Sequence, residues 1–354
     1  MARRVRNPFL SKRLQRTLSS MTRSAMRTGT QVLKQALRAK PQKKASSVAA
    51  VPRVKARRAG GIAAASAAHG RAGMAMGAAG ARRYRLFRPP GVDRHERLPL
   101  LVMLHGCGQD ARGLGASSRM NQVAARERFL VLYPEQDRFA NAQGCWSWYD
   151  TRSGRAFAEA ESIDAAIRQV CLTQPVDPER MALAGLSAGA SMAALLATRH
   201  PERFRAVAMH SGIAPGVAHS SATALGAMIG RRVKATPAAP LPPGVHLPAL
   251  LVIQGSADPT VAPANGIEAA RSWARTEGAV PGPARTVQRG ARYAMNITDY
   301  RAPGRLVVTH CEVVGLGHAW SGGAARQPYS DPKGPDASRM IWAFLARQFA
   351  TART

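Results

Sequence analysis

A short run of small residues around one serine has the spacing of a nucleophile turn. Gly185-Leu-Ser187-Ala-Gly189 follows an apolar run and opens a stretch rich in Ala and Leu. This is the strand–turn–helix context that the G-x-S-x-G pattern requires, because a bulky residue at either glycine would block so tight a turn. An ordinary turn of small residues is the alternative. The pattern favours Ser187 as a nucleophile that a neighbouring base activates.

The base that activates such a serine is a histidine, and in this context it comes last in the chain, after the acid. His318 follows the last apolar run, in a loop of small residues that spans 315–323. His310 lies inside that apolar run, where packed histidines are common, and His200 precedes a proline. The sequence therefore predicts His318 as the general base.

The acid that orients the histidine is predicted at Asp258, a few residues after an apolar run that ends at residue 253. From there it would reach the histidine of the next loop, fix the tautomer of the imidazole and stabilise the imidazolium. A common Asp-Pro turn is the alternative interpretation. Asp299 and Glu312 are rival acids, but both are poorly placed in the alternation of apolar runs and helical patterns.

Attack on a carbonyl also needs two backbone N–H groups that hold the developing oxyanion. One is expected from Ala188, directly after the serine, and the other from the loop after an earlier buried strand. That loop reads His105-Gly-Cys107-Gly-Gln-Asp. Cys107 would contribute its backbone N–H, so its thiol need not react.

The elements that would hold these residues alternate along the chain. Continuous apolar runs bounded by turn residues indicate strands buried on both faces, and they cover 98–104, 129–133, 180–185, 205–209, 249–253 and 306–310. Residues 84–88 alternate and predict an edge strand. Helical patterns cover 160–172, 188–198, 266–277 and 337–349. The alternation predicts an open α/β sheet with helices on both faces, whose site lies at the carboxyl ends of the strands.

Charge divides the chain into two regions. The chain has 354 residues, with 51 Lys and Arg against 20 Asp and Glu, a formal net charge of +31. Residues 1–83 hold 20 Lys and Arg and no acid, so the remainder carries 31 basic and 20 acidic residues. We predict a basic arm and linker over 1–80 and a catalytic domain over 81–354.

The basic arm offers a surface for anionic partners. Leu10, Leu14, Leu18 and Met21 recur at helical spacing with Lys and Arg between them. A basic amphipathic helix is typical of segments that bind anionic lipid or a similar interface, here through residues 1–40; a disordered tail is the alternative. Residues 40–80 resemble a linker with no reason to pack. Phe9 is the sole aromatic residue in 1–83, so stacking on single-stranded nucleic acid is not favoured, although duplex phosphates need only charge.

The spacing of the cysteines and the length of the apolar runs indicate whether metal sites, disulfides or membrane segments are to be expected. The four cysteines show no C-x-x-C spacing and no accompanying histidine pair, so we expect no metal. Either one or two disulfides or buried free thiols fit so few cysteines in so long a chain. No apolar run is long enough to predict a transmembrane helix, and no standard signal peptide is visible.

Several separate blocks of the sequence resemble one family. They are Leu104-His-Gly-Cys-Gly-Gln-Asp110, Cys145-Trp-Ser-Trp148, Ala184-Gly-Leu-Ser-Ala-Gly189, Gly317-His-Ala-Trp-Ser-Gly-Gly323 and Tyr329-Ser-Asp-Pro-Lys-Gly-Pro-Asp-Ala-Ser338. In this order they are similar to the polyhydroxybutyrate depolymerase family of esterases, whose relatives include feruloyl and acetylxylan esterases. The resemblance covers roughly residues 78–350.

The resemblance implies an α/β-hydrolase fold and ester hydrolysis through an acyl-enzyme, without a cofactor. It assigns Ser187, Asp258 and His318 to the triad and Cys107 with Ala188 to the oxyanion hole. It further implies a Cys107–Cys145 disulfide, with the other two cysteines free. The chain departs from the family pattern at two positions, where Ser256 replaces an aspartate and Ala190 replaces a glycine.

Aromatic residues near the predicted site are candidates for binding the acyl group, because ligand sites favour aromatic walls. We expect Trp146, Trp148 and Trp320 to line the site together with His105; capping of the core is the alternative for the tryptophans.

Three functions stay open at this point. The first is hydrolysis of short-chain hydroxyalkanoate polyesters or oligomers, and the second is hydrolysis of carbohydrate esters or general short-chain esters. The third is binding of an anionic surface or nucleic acid through the arm. The family resemblance implies an extracellular protein, whereas the absence of a visible signal favours a cytoplasmic or granule-associated one.

Overall fold

A large, mostly parallel sheet forms the centre of the fold, as the continuous apolar runs predict. The structure is a computed structural model, and it describes residues 70–77, 80–231 and 241–351. The strands in this part of the chain are β1 (Arg71–Gly77), β2 (Gly80–Phe87), β3 (Leu98–Leu104), β4 (Leu130–Pro134), β5 (Val176–Leu186), β6 (Ala206–His210), β7 (Ala249–Gly255), β8 (Val280–Pro281), β9 (Arg285–Val287), β10 (Met295–Ala302), β11 (Arg305–Val313), β12 (Trp320–Ser321) and β13 (Ser330–Asp331).

The strand order is β1-β2-β4-β3-β5-β6-β7-β11-β10-β8, with β9 also paired to β10. From β4 to β11 the neighbours run parallel, whereas β1, β2 and β10 pair antiparallel at the two ends. Strands β5, β6, β7 and β11 are therefore adjacent and point the same way, so the loops after them meet at one edge of the sheet.

Helices cover both faces of this sheet. They are α1 (Ala111–Ser118), α2 (Met120–Glu127), α3 (Arg155–Thr173), α4 (Ala188–Arg199), α5 (Ser221–Met228), α6 (Ala264–Thr276) and α7 (Ala337–Ala350). Residues of α3, α4, α5 and α6 join the core on one face, and residues of α1, α2 and α7 join the core on the other. Every residue of β3 and of β7 is buried, since helices pack against both of their faces. This arrangement is the α/β-hydrolase fold that the sequence predicts.

The first strands differ from the prediction. The residues predicted as an edge strand lie mainly in β2, which is internal because β1 pairs along it from Arg71↔Leu86 to Gly77↔Gly80. The sheet thus begins before the predicted boundary at residue 81. Arg71–Gly77 lies in the predicted linker and packs nevertheless, since its backbone pairs with β2 and Ala75 is buried. The predicted amphipathic helix within 1–40 lies outside the described residues.

Strands β8, β9 and β10 were missed because they carry few continuous apolar residues. Strand β10 intersperses buried with half-buried positions, and β8 and β9 are largely exposed, as expected beyond the helix-covered centre of the sheet. Within the described ranges, none of the helices combines the length and the apolar composition that crossing a membrane requires.

Candidate active site

The turn between β5 and α4 holds Ser187 in a backbone conformation that few non-glycine residues adopt. Its φ is 57° and its ψ is −123°. A Cβ on Gly185 would lie 2.4 Å from the carbonyl of Gly189, and one on Gly189 would lie 2.2 Å from the carbonyl oxygen of Leu104. Both positions therefore exclude any side chain. The end of β5 and the start of α4 lie so close together at this turn that only the serine side chain projects from it.

Asp258 and His318 are brought together from the loops after β7 and β11. His318 Nδ1 lies 2.8 Å from Asp258 Oδ2, and the other carboxylate oxygen accepts hydrogen bonds from the backbone N–H groups of Thr260 and Val261 at 2.9 and 2.8 Å. Burial by itself raises the pKa of Asp258, but these hydrogen bonds outweigh it and hold the pKa below its ordinary value. The carboxylate is therefore ionised and fixed in orientation beside the imidazole.

Backbone contacts join the two loops that carry the acid and the histidine. Ala257 N–H donates to the carbonyl of Leu316 at 3.1 Å. Gly315 N–H donates to the hydroxyl of Ser256 at 2.8 Å. The serine that departs from the family pattern thus holds the loop of His318 to the loop of Asp258, a contact that an aspartate side chain at this position would also be able to accept.

The loop after β3 lies against the nucleophile turn. A Cβ on Gly106 would be 3.5 Å from the Cβ of Ser187. Gly106 N–H is held by the side chain of Gln109 at 3.0 Å, and Gly108 N–H donates to the carbonyl of Gln143 at 2.9 Å. In the described part of the chain, the backbone N–H groups of Cys107 and Ala188 donate to no protein acceptor. They are therefore free to bind an oxyanion.

The buried side chain of His105 holds this loop in place from within the core, where no ligand would reach it. Its side chain is 1% exposed, its Nε2 accepts the backbone N–H of Gln136 at 3.1 Å, and its carbonyl accepts from Trp146 Nε1 at 2.9 Å. Burial lowers the pKa of His105 to about 4, so the ring is neutral near neutral pH. The predicted substrate contact of His105 is corrected to a structural role, because its ring is enclosed by protein.

A polar network behind His105 was not predicted. The Arg82 guanidinium is buried; it donates to Ser162 Oγ and to Gln136 Oε1 and lies over the Trp146 ring, 5.2 Å from its centre. Glu159 accepts from the Gln136 amide at 2.8 Å. No local motif marks these residues, which come from β2, α3 and a loop. They meet only in the folded chain, where they support the loop of Cys107.

Cys107 and Cys145 form a disulfide, while Cys171 and Cys311 are free. The bridge joins the loop after β3 to the loop that begins after β4. The bridge and the hydrogen bond from Gly108 N–H to the Gln143 carbonyl together hold these two loops against each other. Burial raises the pKa of the Cys311 thiol to about 12, so that thiol is unreactive.

The predicted tryptophan wall needs correction. Trp146 and Trp320 are both 0% exposed, so neither lines an open groove. Trp146 donates to the His105 carbonyl, and Trp320 Nε1 donates to the Ser338 hydroxyl at 3.1 Å. Both rings complete the core beneath the site, because each indole N–H has an internal partner there. Trp148 is 8% exposed, and its contact with substrate stays a prediction.

Two further residues border the site and were not predicted. His210, at the end of β6, accepts the backbone N–H of Ser187 through its carbonyl at 2.8 Å. The Tyr329 hydroxyl lies 3.2 Å from the position that a Cβ on Gly108 would occupy, and Tyr329 is 43% exposed with a φ of 53°. A strained, exposed aromatic side chain therefore lies beside the loop of Cys107.

One group of ionisable residues elsewhere has the spacing of metal ligands. Single ligand atoms of Glu161, Asp164 and His200 lie within 4.8 Å of one another. Both carboxylates are already ion-paired, with Arg168 and Arg203 at Asp164 and with Arg199 at Glu161. The arginines supply the positive charge that a cation would bring, so we assign no metal to this group.

Comparison with known proteins shows to which family the chain belongs. Residues 82–294, more than half of the chain, match the family model described as esterase PHB depolymerase. The chain belongs to this family. It is 32% identical over 189 residues to poly(3-hydroxyalkanoate) depolymerase C of Paucimonas lemoignei, which covers 51% of this chain and 45% of that protein. It is 27% identical over 193 residues to feruloyl esterase B of Neurospora crassa, covering 51% and 65%.

A solved structure supports the fold assignment. An acetyl xylan esterase from Aspergillus awamori superposes with a TM-score of 0.57 at 17% identity, covering 78% of this chain and all of that one. At that identity the similarity concerns the fold. The chain spans about half the length of the curated relatives it matches, so their activities do not transfer as a whole.

Proposed function

We propose that this member of the esterase PHB depolymerase family is a serine esterase that works through an acyl-enzyme. The proposal rests chiefly on one observation, the 2.8 Å contact between His318 Nδ1 and Asp258 Oδ2 at the same sheet edge as the Ser187 turn. In this scheme Ser187 is the nucleophile, His318 the general base and Asp258 the group that orients the imidazole. No cofactor takes part in the scheme.

The reaction begins when His318 Nε2 removes the hydroxyl proton of Ser187 and the oxygen attacks the ester carbonyl. The backbone N–H groups of Cys107 and Ala188 hold the oxyanion of the tetrahedral intermediate. His318 then gives its proton to the leaving alcohol and the acyl-enzyme forms. Water, deprotonated by His318, attacks the acyl group; collapse of the second intermediate releases the acid and returns the proton to Ser187. Loss of one oxyanion donor would cost about 3 kcal/mol of transition-state stabilisation.

The substrates we propose are short-chain hydroxyalkanoate polyesters or their oligomers. The relative named as a poly(3-hydroxyalkanoate) depolymerase is more similar in sequence, at 32% identity, than the feruloyl esterase at 27%. Hydrolysis of carbohydrate esters or of general short-chain esters by the same residues is the second candidate, which the similarity to feruloyl and acetylxylan esterases favours.

Hydrolysis of p-nitrophenyl butyrate by wild type, Ser187→Ala and the exposed control Ser153→Ala tests the nucleophile. We expect loss of activity in Ser187→Ala alone, and covalent labelling by an organophosphonate only where Ser187 is present. Equal activity in all three proteins would exclude Ser187. Soluble hydroxybutyrate trimers, methyl ferulate and acetylated xylan, assayed in parallel, distinguish the two substrate classes by their kcat/KM values.

We further propose an anionic surface as a partner of residues 1–40, since residues 1–83 carry 20 Lys and Arg and no acid. Such binding falls steeply as salt is raised, because each neutralised charge releases counterions. Co-sedimentation of the full chain with anionic and with neutral vesicles, at low and high salt, tests it. Binding to duplex DNA but not to anionic vesicles would replace this partner with nucleic acid.

A further inference from the structure

The end of β6 contacts all three segments that carry the proposed triad. The carbonyl of His210 accepts Ser187 N–H at 2.8 Å, which fixes the nucleophile turn. Ser211 N–H donates at 2.9 Å to the carbonyl of Ile253, in β7, the strand that leads to the acid. The ring of His210 accepts the N–H of Ser321 at 3.1 Å, in β12, which directly follows the loop of His318.

The hydrogen bonds of the His210 ring define its tautomer. A backbone N–H can only donate, so Nε2 of His210 must be unprotonated where it faces Ser321. The proton therefore lies on Nδ1, which is 3.2 Å from the hydroxyl of Ser211 and donates to it. Burial, and secondarily the positive charge that His318 carries when protonated, lower the pKa of His210 to about 3. The ring is thus a neutral acceptor over the working range of an esterase.

Packing alone does not require a histidine at this position. His210 is 1% exposed and stacks on Trp320 with 5.3 Å between ring centres, an environment that an apolar side chain would fill without the need for polar partners. Both polar atoms of the ring instead have partners: Nδ1 contacts the hydroxyl of the adjacent Ser211, and Nε2 accepts the N–H of Ser321 from the segment that follows His318. The following residue, Ser211, has a φ of 53° and is fully buried, a strained conformation of the kind found at functional sites.

We propose that His210 is a positioning residue that sets the loop of His318 against the nucleophile turn, through the hydrogen bond from Ser321 N–H to its Nε2. The inference rests on the proposed esterase function. Without this acceptor, the Ser321 N–H would be buried and unpaired, and the loop would move to satisfy it. His318 would then meet the Ser187 hydroxyl in a poorer geometry, which slows the chemical step and leaves ester binding largely unchanged.

The substitutions His210→Gln and His210→Asn test the proposal as a matched pair. A glutamine places its amide oxygen near the position of Nε2, whereas an asparagine reaches only the position of Nδ1. With p-nitrophenyl butyrate we expect kcat to fall about 10- to 100-fold in His210→Asn with KM within about twofold, and to stay within about threefold of wild type in His210→Gln. His200→Asn, at a histidine remote from the site, is the control and should keep wild-type kcat.

Thermal unfolding of each variant shows whether a loss of kcat reflects a loss of structure. If His210→Asn does not fold, His210→Leu gives the test, since a leucine fills the apolar environment beside Trp320 and also removes the acceptor of Ser321 N–H; we expect kcat to fall about 10- to 100-fold at constant KM. Wild-type kcat in folded His210→Asn or His210→Leu, or equal losses in the Asn and Gln variants, would overturn the proposal. Inactive wild type that resists organophosphonate labelling would instead refute the esterase function itself.

Discussion

His318 Nδ1 lies 2.8 Å from Asp258 Oδ2, across 60 residues of chain. Parallel pairing of β7 with β11 brings the two loops to the same edge, and backbone hydrogen bonds between the loops hold them in register. The carboxylate also accepts two backbone N–H groups, so its orientation is set before any substrate arrives. In the proposed mechanism the imidazole of His318 is therefore oriented before it accepts the proton of Ser187.

Asp258→Asn is expected to lower kcat about 100- to 10,000-fold, because the amide would turn an N–H toward His318 Nδ1 and favour the wrong tautomer. The measurement is steady-state hydrolysis of p-nitrophenyl butyrate. Asp299→Asn is the matched control: Asp299 lies on β10, where it pairs with Arg285 and accepts from Thr309. If Asp299→Asn lost kcat to this extent and Asp258→Asn stayed active, Asp299 would be the acid instead.

Gly189→Ala is expected to lower the free energy of unfolding by about 3 kcal/mol or more, because the added methyl would overlap the backbone of β3. The overlap is severe, at 2.2 Å from the Leu104 oxygen and 2.5 Å from the His105 oxygen. Urea unfolding measures the change. Gly317→Ala is the control within the same site, since a Cβ there meets nothing within 4 Å. Similar stability of the two variants would contradict this account of the turn.

Removal of the Cys107–Cys145 disulfide by substitution of both cysteines with serine is expected to lower the free energy of unfolding by about 2–4 kcal/mol, since the bridge closes a long loop of chain. The bridge spans 38 residues. Activity should also fall, because the Cys107 N–H becomes less rigidly placed. Cys171→Ser, at a free thiol, should change neither quantity. Unfolding curves with and without reductant provide the measurement; wild type insensitive to reductant would count against the prediction.

His105 makes stability depend on pH. In the unfolded chain its ring binds a proton near the ordinary value of 6.5, whereas in the folded chain burial lowers the pKa to about 4. Between these values the unfolded state holds more protons, so stability rises with pH across this window and levels off above it, by about 3 kcal/mol in total.

Unfolding free energies of wild type and His105→Gln, measured from pH 4 to 8, test this dependence. Glutamine keeps an acceptor for Gln136 N–H but does not titrate. We expect the difference between the two proteins to grow from pH 4 to about 6.5 and to stay constant above. Parallel curves over the whole range would show that His105 does not carry the pH dependence.

The loops that form the candidate site could be predicted from sequence because each follows a continuous apolar run. In a parallel sheet such runs end at one edge, so the elbow around Ser187, the acid loop and the histidine loop had to lie near one another. The helix-covered strands were predicted well for the same reason, since burial on both faces leaves an unbroken apolar signal. Strands β8 to β10 lack that signal at the edge of the sheet.

Tertiary structure alone decided the roles of the side chains around the site. Trp146, Trp320 and His105 sit beside predicted site residues in the sequence, yet all three point into the core, where residues from distant elements satisfy their polar atoms. Conversely, His210 lies within an apolar strand that gives no sign of a polar role, and it contacts Ser321, 111 residues away. Sequence alone determined where the chain turns, through hydrophobic patterning and glycine sterics. Which polar atoms find partners depends on contacts between segments far apart in the chain, and only the folded structure provides those contacts.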